Sequence, residues 1–365
     1  MKRFLMLSLS LLVVFGENDY SLRERLGNFD VTNHMSAEVR FGYIQSDAYD
    51  FLGSGGHIHI RTPYHKGLRL NGSLYAFYDL EQGAATQRQK DLFWAEANIE
   101  YLYRYLDLMV GRFMVDTPYA DSDDIRIVPN YFQGARLLYC DGVVGFEFLY
   151  LSKMAGWGSG GDIGQFKSLS EVMGIDGIGS LLGVRLALFD DFVWFYRLEN
   201  GADLAYVDLD FEDRGYRVAF QGCYAVSSGK ELMGSFRSAV VGILLSKEFG
   251  PFGCFGAYNK SLEGFAMPAF GGGPYFTSME ELTLDLAGQG GQSVVVGGSR
   301  RFGDLSVGVV GGRFFSSGFS QKELDIYISG TLLDRIQIES VYAKVIDRYG
   351  HNSKDIFRLI LKFGF

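Results

Sequence analysis

The segment that closes the chain, Phe357-Arg358-Leu359-Ile360-Leu361-Lys362-Phe363-Gly364-Phe365, alternates with a period of two. In an extended strand Phe357, Leu359, Leu361, Phe363 and Phe365 share one face, and Arg358 and Lys362 fall on the other. The strand therefore has an apolar side and a cationic side. The same rhythm runs through Leu68-Arg69-Leu70-Asn71-Gly72-Ser73-Leu74-Tyr75-Ala76, where the leucines face one way and Arg69, Asn71 and Ser73 the other. Alternating segments of about ten residues, each ending in a cluster of Gly, Asp, Asn or Ser, recur along the chain, while helical spacing is scarce.

A soluble sandwich alternates too, so the connections decide the fold class. Outer-membrane barrels have short turns at the periplasmic end, long loops at the other, and aromatic girdles at both interfaces. Counting back from Phe365, tight turns fall at Arg301 to Asp304, Phe249 to Phe252, Glu212 to Gly215, Phe189 to Asp191 and Cys140 to Gly142. They alternate with longer connectors around 114–132, 153–179 and 261–291. All the tight turns fall on one side if the chain forms an all-β, closed antiparallel transmembrane β-barrel of about 18 strands, an even number as closure requires. Glu280 to Leu286 has a strand-like pattern, but counting it as a spanning strand would put the turn at Arg301 to Asp304 on the wrong side. Parity assigns it to the seventh long loop.

Composition supports this reading. A barrel can absorb 365 residues as one domain. With 22 Tyr, 31 Phe and 48 Gly against 6 Pro, the chain is too aromatic to be disordered and rich in the residue of turns and close strand packing. A net charge of -9 leaves no basic excess for nucleic acid. Cys140, Cys223 and Cys254 have neither an even count nor CxxC spacing, so no disulfide framework or zinc ribbon is indicated. Lys2 and Arg3, the apolar run Phe4 to Phe15 and the small Gly16 form a secretory signal peptide pattern, too short to span a bilayer. The expected organisation is a signal peptide over 1–16 and a barrel over 17–365, in the outer membrane of a Gram-negative bacterium.

An arginine inside an apolar-alternating strand should face the lumen, because on the lipid face at mid-membrane it costs about 2–4 kcal/mol. This rule selects Arg40, Arg61, Arg69, Arg136, Arg185, Arg217 and Arg358 as bore-lining residues. Two readings stand side by side. The arginines form a track on which successive guanidinium forks hand along a carboxylate, or they pair with inward acids such as Glu38, Glu96, Glu147, Glu323 and Asp325. The acidic excess is expected on loops and turns, at Asp121, Asp123, Asp124, Asp190, Asp191, Asp208 and Asp210. On the track reading, Arg358→Ala should weaken anion preference with little loss of folding.

The third long connector reads Thr117-Pro118-Tyr119-Ala120-Asp121-Ser122-Asp123-Asp124-Ile125-Arg126-Ile127-Val128-Pro129-Asn130-Tyr131-Phe132-Gln133-Gly134, after Val110-Gly111-Arg112. It resembles the corresponding stretch of OprD-type substrate-specific outer-membrane porins. Further matches are Gly55-Gly56 followed by Thr62-Pro63-Tyr64 and Gly67-Leu68, then Lys322-Glu323-Leu324-Asp325 and Phe357-Arg358-Leu359-Ile360; the segment Ser21 to Tyr43 is similar to epsilon-proteobacterial versions. The resemblance implies an 18-stranded barrel forming a monomeric pore, and association into homotrimers is left open. It also implies third (114–132) and seventh (261–291) loops folded inward, and a basic ladder drawing small carboxylate-bearing solutes. Asp123, Asp124, Arg126 and Pro129 take the motif positions of the constriction loop, and Arg358 that of the terminal-strand arginine. Tyr275 and Asp285 lie in the seventh-loop region without an assignable role.

Other chemical signals have plainer explanations. His57 and His59 share a strand face and suit polar lumen lining better than a metal site. Asp121, Asp123 and Asp124 could attract Ca²⁺, yet an inward loop needs such charges for itself. Trp157-Gly158-Ser159-Gly160-Gly161-Asp162-Ile163-Gly164 lacks the Lys-Ser/Thr ending of a phosphate loop. The expectation is passive diffusion of small polar solutes with no cofactor, no metal and no catalysis. A structural or adhesin barrel is the alternative, and an outer-membrane hydrolase the third.

Overall fold

The structure, a computed structural model, describes residues 35–46, 50–80, 90–123, 126–160, 162–188, 191–332, 335–347 and 353–365. The signal segment 1–16 and Asp124 lie outside the described residues.

Eighteen long antiparallel strands follow one another. They are β1 Met35–Ser46, β2 Asp50–Arg61, β3 Leu68–Asp79, β4 Lys90–Tyr103, β5 Leu106–Phe113 and β6 Tyr131–Cys140. Next come β7 Val144–Ala155, β8 Leu181–Leu188, β9 Asp191–Leu198, β10 Ala202–Asp213, β11 Tyr216–Ser227 and β12 Arg237–Phe249. The series ends with β13 Phe252–Glu263, β14 Gln292–Phe302, β15 Leu305–Phe315, β16 Ser320–Leu332, β17 Ile336–Asp347 and β18 Ser353–Gly364. Each pairs with the next, and β18 returns to β1 in register from Glu38↔Gly364 to Ser46↔Ile356, which closes the barrel. The strand number matches the parity count. Residues 280–283 have no strand, and Leu284–Ala287 is a short 3-10 turn.

The tight turns read from the sequence at Arg301 to Asp304, Phe249 to Phe252, Glu212 to Gly215 and Cys140 to Gly142 lie at one end of the barrel, and Phe189 and Asp190 of the fifth lie outside the described residues. At the Glu212 to Gly215 turn, Arg214 and Gly215 sit at φ 49° and 75°. Two positive values in a row are what a primed hairpin turn demands, because only that twist matches the flanking strands.

The alternation sorts the side chains. Val39, Phe41, Ile58, Ile60, Val296 and Ile326 point outward and are exposed, a belt that only lipid would cover. At the short-turn end the outside carries Tyr103, Tyr105, Tyr139, Tyr216, Phe249 and Phe302, an aromatic girdle. Asp208 and Asp210 were expected on a turn, but β10 runs on to Asp213. Leu209 and Phe211 therefore face out, and both aspartates face in.

Candidate functional site

The bore is where polar groups and irregular backbone meet. The connector from 114 to 130 turns back on itself, since Val115 accepts from the Ser122 amide at 2.7 Å and the Ser122 carbonyl accepts from the Asn130 amide at 2.7 Å. Its tip lies against the inner wall. Arg40 Nη1 donates to the Arg126 carbonyl at 2.9 Å, and the Tyr75 hydroxyl donates to the Ile127 carbonyl. Ile127 occupies space that side chains at inward Gly42 and Gly55 would need, a Cβ at Gly42 coming within 2.3 Å of it. Asp123 holds φ 45° while its amide donates to Asp121 Oδ1 at 2.9 Å. Pro129 is buried, its carbonyl close under Gly156 of the fourth long connector.

The connector from 264 to 291 is fastened to several strands. Gln221 Nε2 of β11 donates to the Pro274 carbonyl at 2.6 Å. The Thr277 amide donates to Asn259 Oδ1 of β13 at 3.1 Å, and its hydroxyl meets Ser293 Oγ of β14 at 2.5 Å. Two β16 acids take successive amides, Asp325 from Glu280 at 3.4 Å and Glu323 from Glu281 and Leu282 at 2.9 and 2.7 Å. The Glu280 carboxylate receives a two-pronged bond from Arg358, at 2.9 and 2.8 Å, and a third donor from Arg126 at 3.3 Å. The two connectors also join directly: the Asp121 amide donates to the Phe270 carbonyl, and the Phe270 amide to the Tyr119 carbonyl. Tyr275 donates to the Met267 carbonyl at 2.8 Å, and burial pushes its phenol well above its ordinary pKa.

All seven sequence-selected arginines stand on the inward face, and their partners divide them. Arg40 bonds Glu38, Arg69 bonds Glu100, Arg217 bonds Asp210 and Arg358 bonds Glu280. Arg61 donates to His59 Nε2 at 3.0 Å, and His59 Nδ1 lies 3.1 Å from Glu96, so both nitrogens of that ring are engaged. Arg136 and Arg185 share one carboxylate in ion-pair contact, Glu147, at 2.8 and 3.6 Å, with Asp107 and Asp116 acting on Arg136 from farther away. The pairs sit at different heights. Arg61, Arg69 and Arg217 are at the short-turn end, Arg40 and Arg358 nearer the middle, with Arg40 opposite Lys362 and Arg358 opposite Ile44.

Arg40 and Arg358 are 2% exposed. Their charge is committed to carboxylates and to the third and seventh connectors, so Arg358 is a fastening point and Arg358→Ala should loosen a loop rather than only alter charge preference. Glu323 and Asp325 meet loop amides instead of arginines. Sequence reasoning missed Glu280, Glu100 and Glu339, the last bonded to Lys362 at 2.9 Å. The inward parity of Glu100 and Glu339 was available as a signal. Glu280 had none, because its partner lies 78 positions away.

No family model matches the chain, and no curated protein matches it in sequence. Solved structures do match in fold. OccK3 (OpdO) of Pseudomonas aeruginosa superposes with TM-score 0.76 at 15% identity, covering 91% of this chain and 95% of that one. OpdK of the same organism, solved with vanillate, gives 0.77 at 14% over 91% and 98%. OccAB3 of Acinetobacter baumannii gives 0.75 at 12% over 91% and 98%. The fold is thus the one these proteins share, in agreement with the resemblance carried by the third-connector motif.

Proposed function

We propose that this chain is an outer-membrane porin through which small polar solutes diffuse passively, with the short-turn end in the periplasm and residues 1–16 acting as the export signal. One observation carries the reading: a closed barrel apolar outside and charged inside, with two connectors held against its inner wall. An apolar exterior suits lipid, and a charged interior suits water and polar solutes. The third and seventh connectors narrow the path, with Asp123, Asp124, Arg126 and Pro129 in the constricting segment. OpdK, which shares the fold, was solved with vanillate, a carboxylate.

Carboxylate-bearing solutes are the preferred cargo on this reading, and Arg136 and Arg185 are the arginines best suited to meet them. They share one ion-pair partner, Glu147, and their side chains are 26% and 32% exposed, against 3% for Arg40 and Arg358. Weak contacts of this kind favour passage over capture.

Single-channel recording in a planar bilayer under a KCl gradient, with benzoate and arginine added in turn, tests the proposal. Discrete steps altered by benzoate are expected, with the reversal potential moving toward cation preference in an Arg136→Gln/Arg185→Gln variant. A folded but silent barrel would overturn the porin reading. Steps blocked by arginine and not by benzoate would overturn the cargo class alone.

A further inference from the structure

The wall of the barrel is incomplete at one place. β5 pairs with β4 only from Tyr103↔Leu106 to Ala97↔Arg112, so residues 90–96 of β4 have no strand partner on that side among the described residues. Above the end of β5 the fourth connector covers the break. The Gly164 amide donates to Asp91 Oδ2 at 3.3 Å, and Lys167–Ser168 pairs with Lys153 and Met154 of β7. Below that cover, on the outside of the wall, lies an open hollow of about 630 Å³. Trp94 and Tyr150 flank it, and Ala97, Val110, Gly111, Gly134 and Ala135 form its floor. The floor cannot fill: a Cβ on Gly134 would lie 1.7 Å from the Tyr150 carbonyl oxygen.

A cation stands at the rim. Arg112 has the outward parity of exposed Val110, while Phe113 is buried inward. Its guanidinium donates to the Trp94 carbonyl at 3.1 Å and to Gln133 Oε1 at 3.4 Å, and lies 4.2 Å from the centre of the Phe166 ring. All three partners are neutral, and no acid pairs with Arg112 among the described residues. Gln133 lies opposite Lys153, which is exposed and points outward because the bulge at Ser152 sends Met154 inward. The acid near Lys153 is Glu171, whose carboxylate already accepts from the Ser168 amide and hydroxyl at 2.7 Å each.

We infer that this hollow is a binding site for one anionic bilayer lipid, its phosphate held by Arg112 and Lys153 and an acyl chain laid between Trp94 and Tyr150. An aqueous anion would find only an apolar floor beneath the cations. A lipid satisfies both parts, since phosphate suits a guanidinium that no acid pairs among the described residues and an exposed ammonium whose nearby acid is already hydrogen-bonded to Ser168, and a hydrocarbon chain suits a floor of glycine, alanine and valine. Trp and Tyr are the residues that gather where headgroups meet hydrocarbon.

Native mass spectrometry of the full barrel released from detergent tests the site, with dimyristoyl phosphatidylglycerol and dimyristoyl phosphatidylcholine as probes. The wild type should retain one phosphatidylglycerol roughly tenfold or more in preference to phosphatidylcholine, the scale expected for two cations near one phosphate. Arg112→Gln/Lys153→Gln should abolish that preference, and Arg112→Lys should keep it. Val110→Trp, which fills the hollow and leaves both cations, should lower retention of both lipids together. Folding of each variant is checked by heat-modifiable gel migration. If the double variant does not fold, Lys153→Gln with Arg112→Lys carries the charge test and should reduce the preference. Equal retention of the two lipids by the wild type, an unchanged preference in the charge variants, displacement by inorganic phosphate, or a dimer that excludes lipid would each overturn the assignment.

Discussion

The inner wall holds its connectors in two different ways. Along β7 to β12 the contact is mainly apolar: Tyr119, Met267, Tyr275 and Leu284 of the third and seventh connectors pack with Leu149, Leu151, Tyr196, Tyr206 and Val240, with Gln221 and Ser238 adding neutral hydrogen bonds to the Pro274 and Phe265 carbonyls. Around β16, β18 and β1 the connectors also bury apolar groups, Phe276, Met279 and Leu282 packing with Tyr327, Val341 and Ile356, but there ionic and directional contacts are added: Glu280 with Arg358 and Arg126, the Glu323 and Asp325 amide contacts, and Arg40 on the Arg126 carbonyl. Apolar burial stabilises without fixing position, because it depends on area removed from water. A fork between guanidinium and carboxylate fixes both distance and angle. Burial thus holds the connectors in the barrel on both sides, and the charged side adds the contacts that decide where they stop.

The most damaging way to break this division is Glu280→Gln. The carboxylate is fully buried between two guanidiniums, and neutralising it takes from both the carboxylate they bond, a loss of about 3–5 kcal/mol for a buried pair. The expected result is a lower denaturation midpoint, together with larger and noisier single-channel currents as the seventh connector loses its stop. The double variant Glu280→Gln/Arg358→Gln should be less destabilised than the two single losses summed, since they share one interaction. Additive losses would mean that the two residues act independently.

Met267→Ala is the matching probe of the apolar side. It deletes a buried thioether from the cluster, and about 2–3 kcal/mol is expected, toward the lower part of the range for such truncations because the neighbouring connector can partly collapse. Stability should fall while open-channel current changes little, because the ionic stops stay in place. If current rises as much as in Glu280→Gln, the apolar side also sets the aperture and the division of labour fails.

Much of this was legible in the sequence, and the remainder has identifiable causes. Period-two alternation gave the strands, the turn clusters gave the parity, and parity fixed the strand number and kept Glu280 to Leu286 out of the wall. The inward face of the seven arginines followed from the cost of charge in lipid. What each arginine does there depends on register and on partners far away in sequence. Arg358 meets an acid 78 residues distant in irregular backbone, where no periodicity operates. Asp208 and Asp210 were misplaced because clustered acids resemble a turn, whereas on alternate positions of one strand they line a bore. The short reach of β5, and hence the break in the wall, is set by pairing that no single segment displays.

The fourth connector offers a third kind of hold, local rather than tertiary, and the smallest expected effect. The short helix Leu169–Met173 begins at a capping box in which Ser168 Oγ accepts from the Glu171 amide, while the Glu171 carboxylate accepts from the Ser168 amide and hydroxyl. Those hydrogen bonds from Ser168 hold the Glu171 carboxyl below its ordinary pKa. A folded-state pKa that is lowered means the contribution is present above the usual carboxylate range and is lost as pH falls through the lowered value. Amide exchange in this turn, corrected for intrinsic rates, should therefore quicken as the solution is acidified through that window, and only there. The titratable groups packed with Met267, the phenols of Tyr119, Tyr206 and Tyr275 and the thiol of Cys223, do not titrate in acid, so this cluster should keep its protection over the same range. In Glu171→Gln the turn should open more readily at neutral pH and lose this acid dependence. An unchanged profile in the variant would assign the acid response to some other group and leave the fourth connector held by its pairing with β7 and its bonds to Asp91 and Asn130.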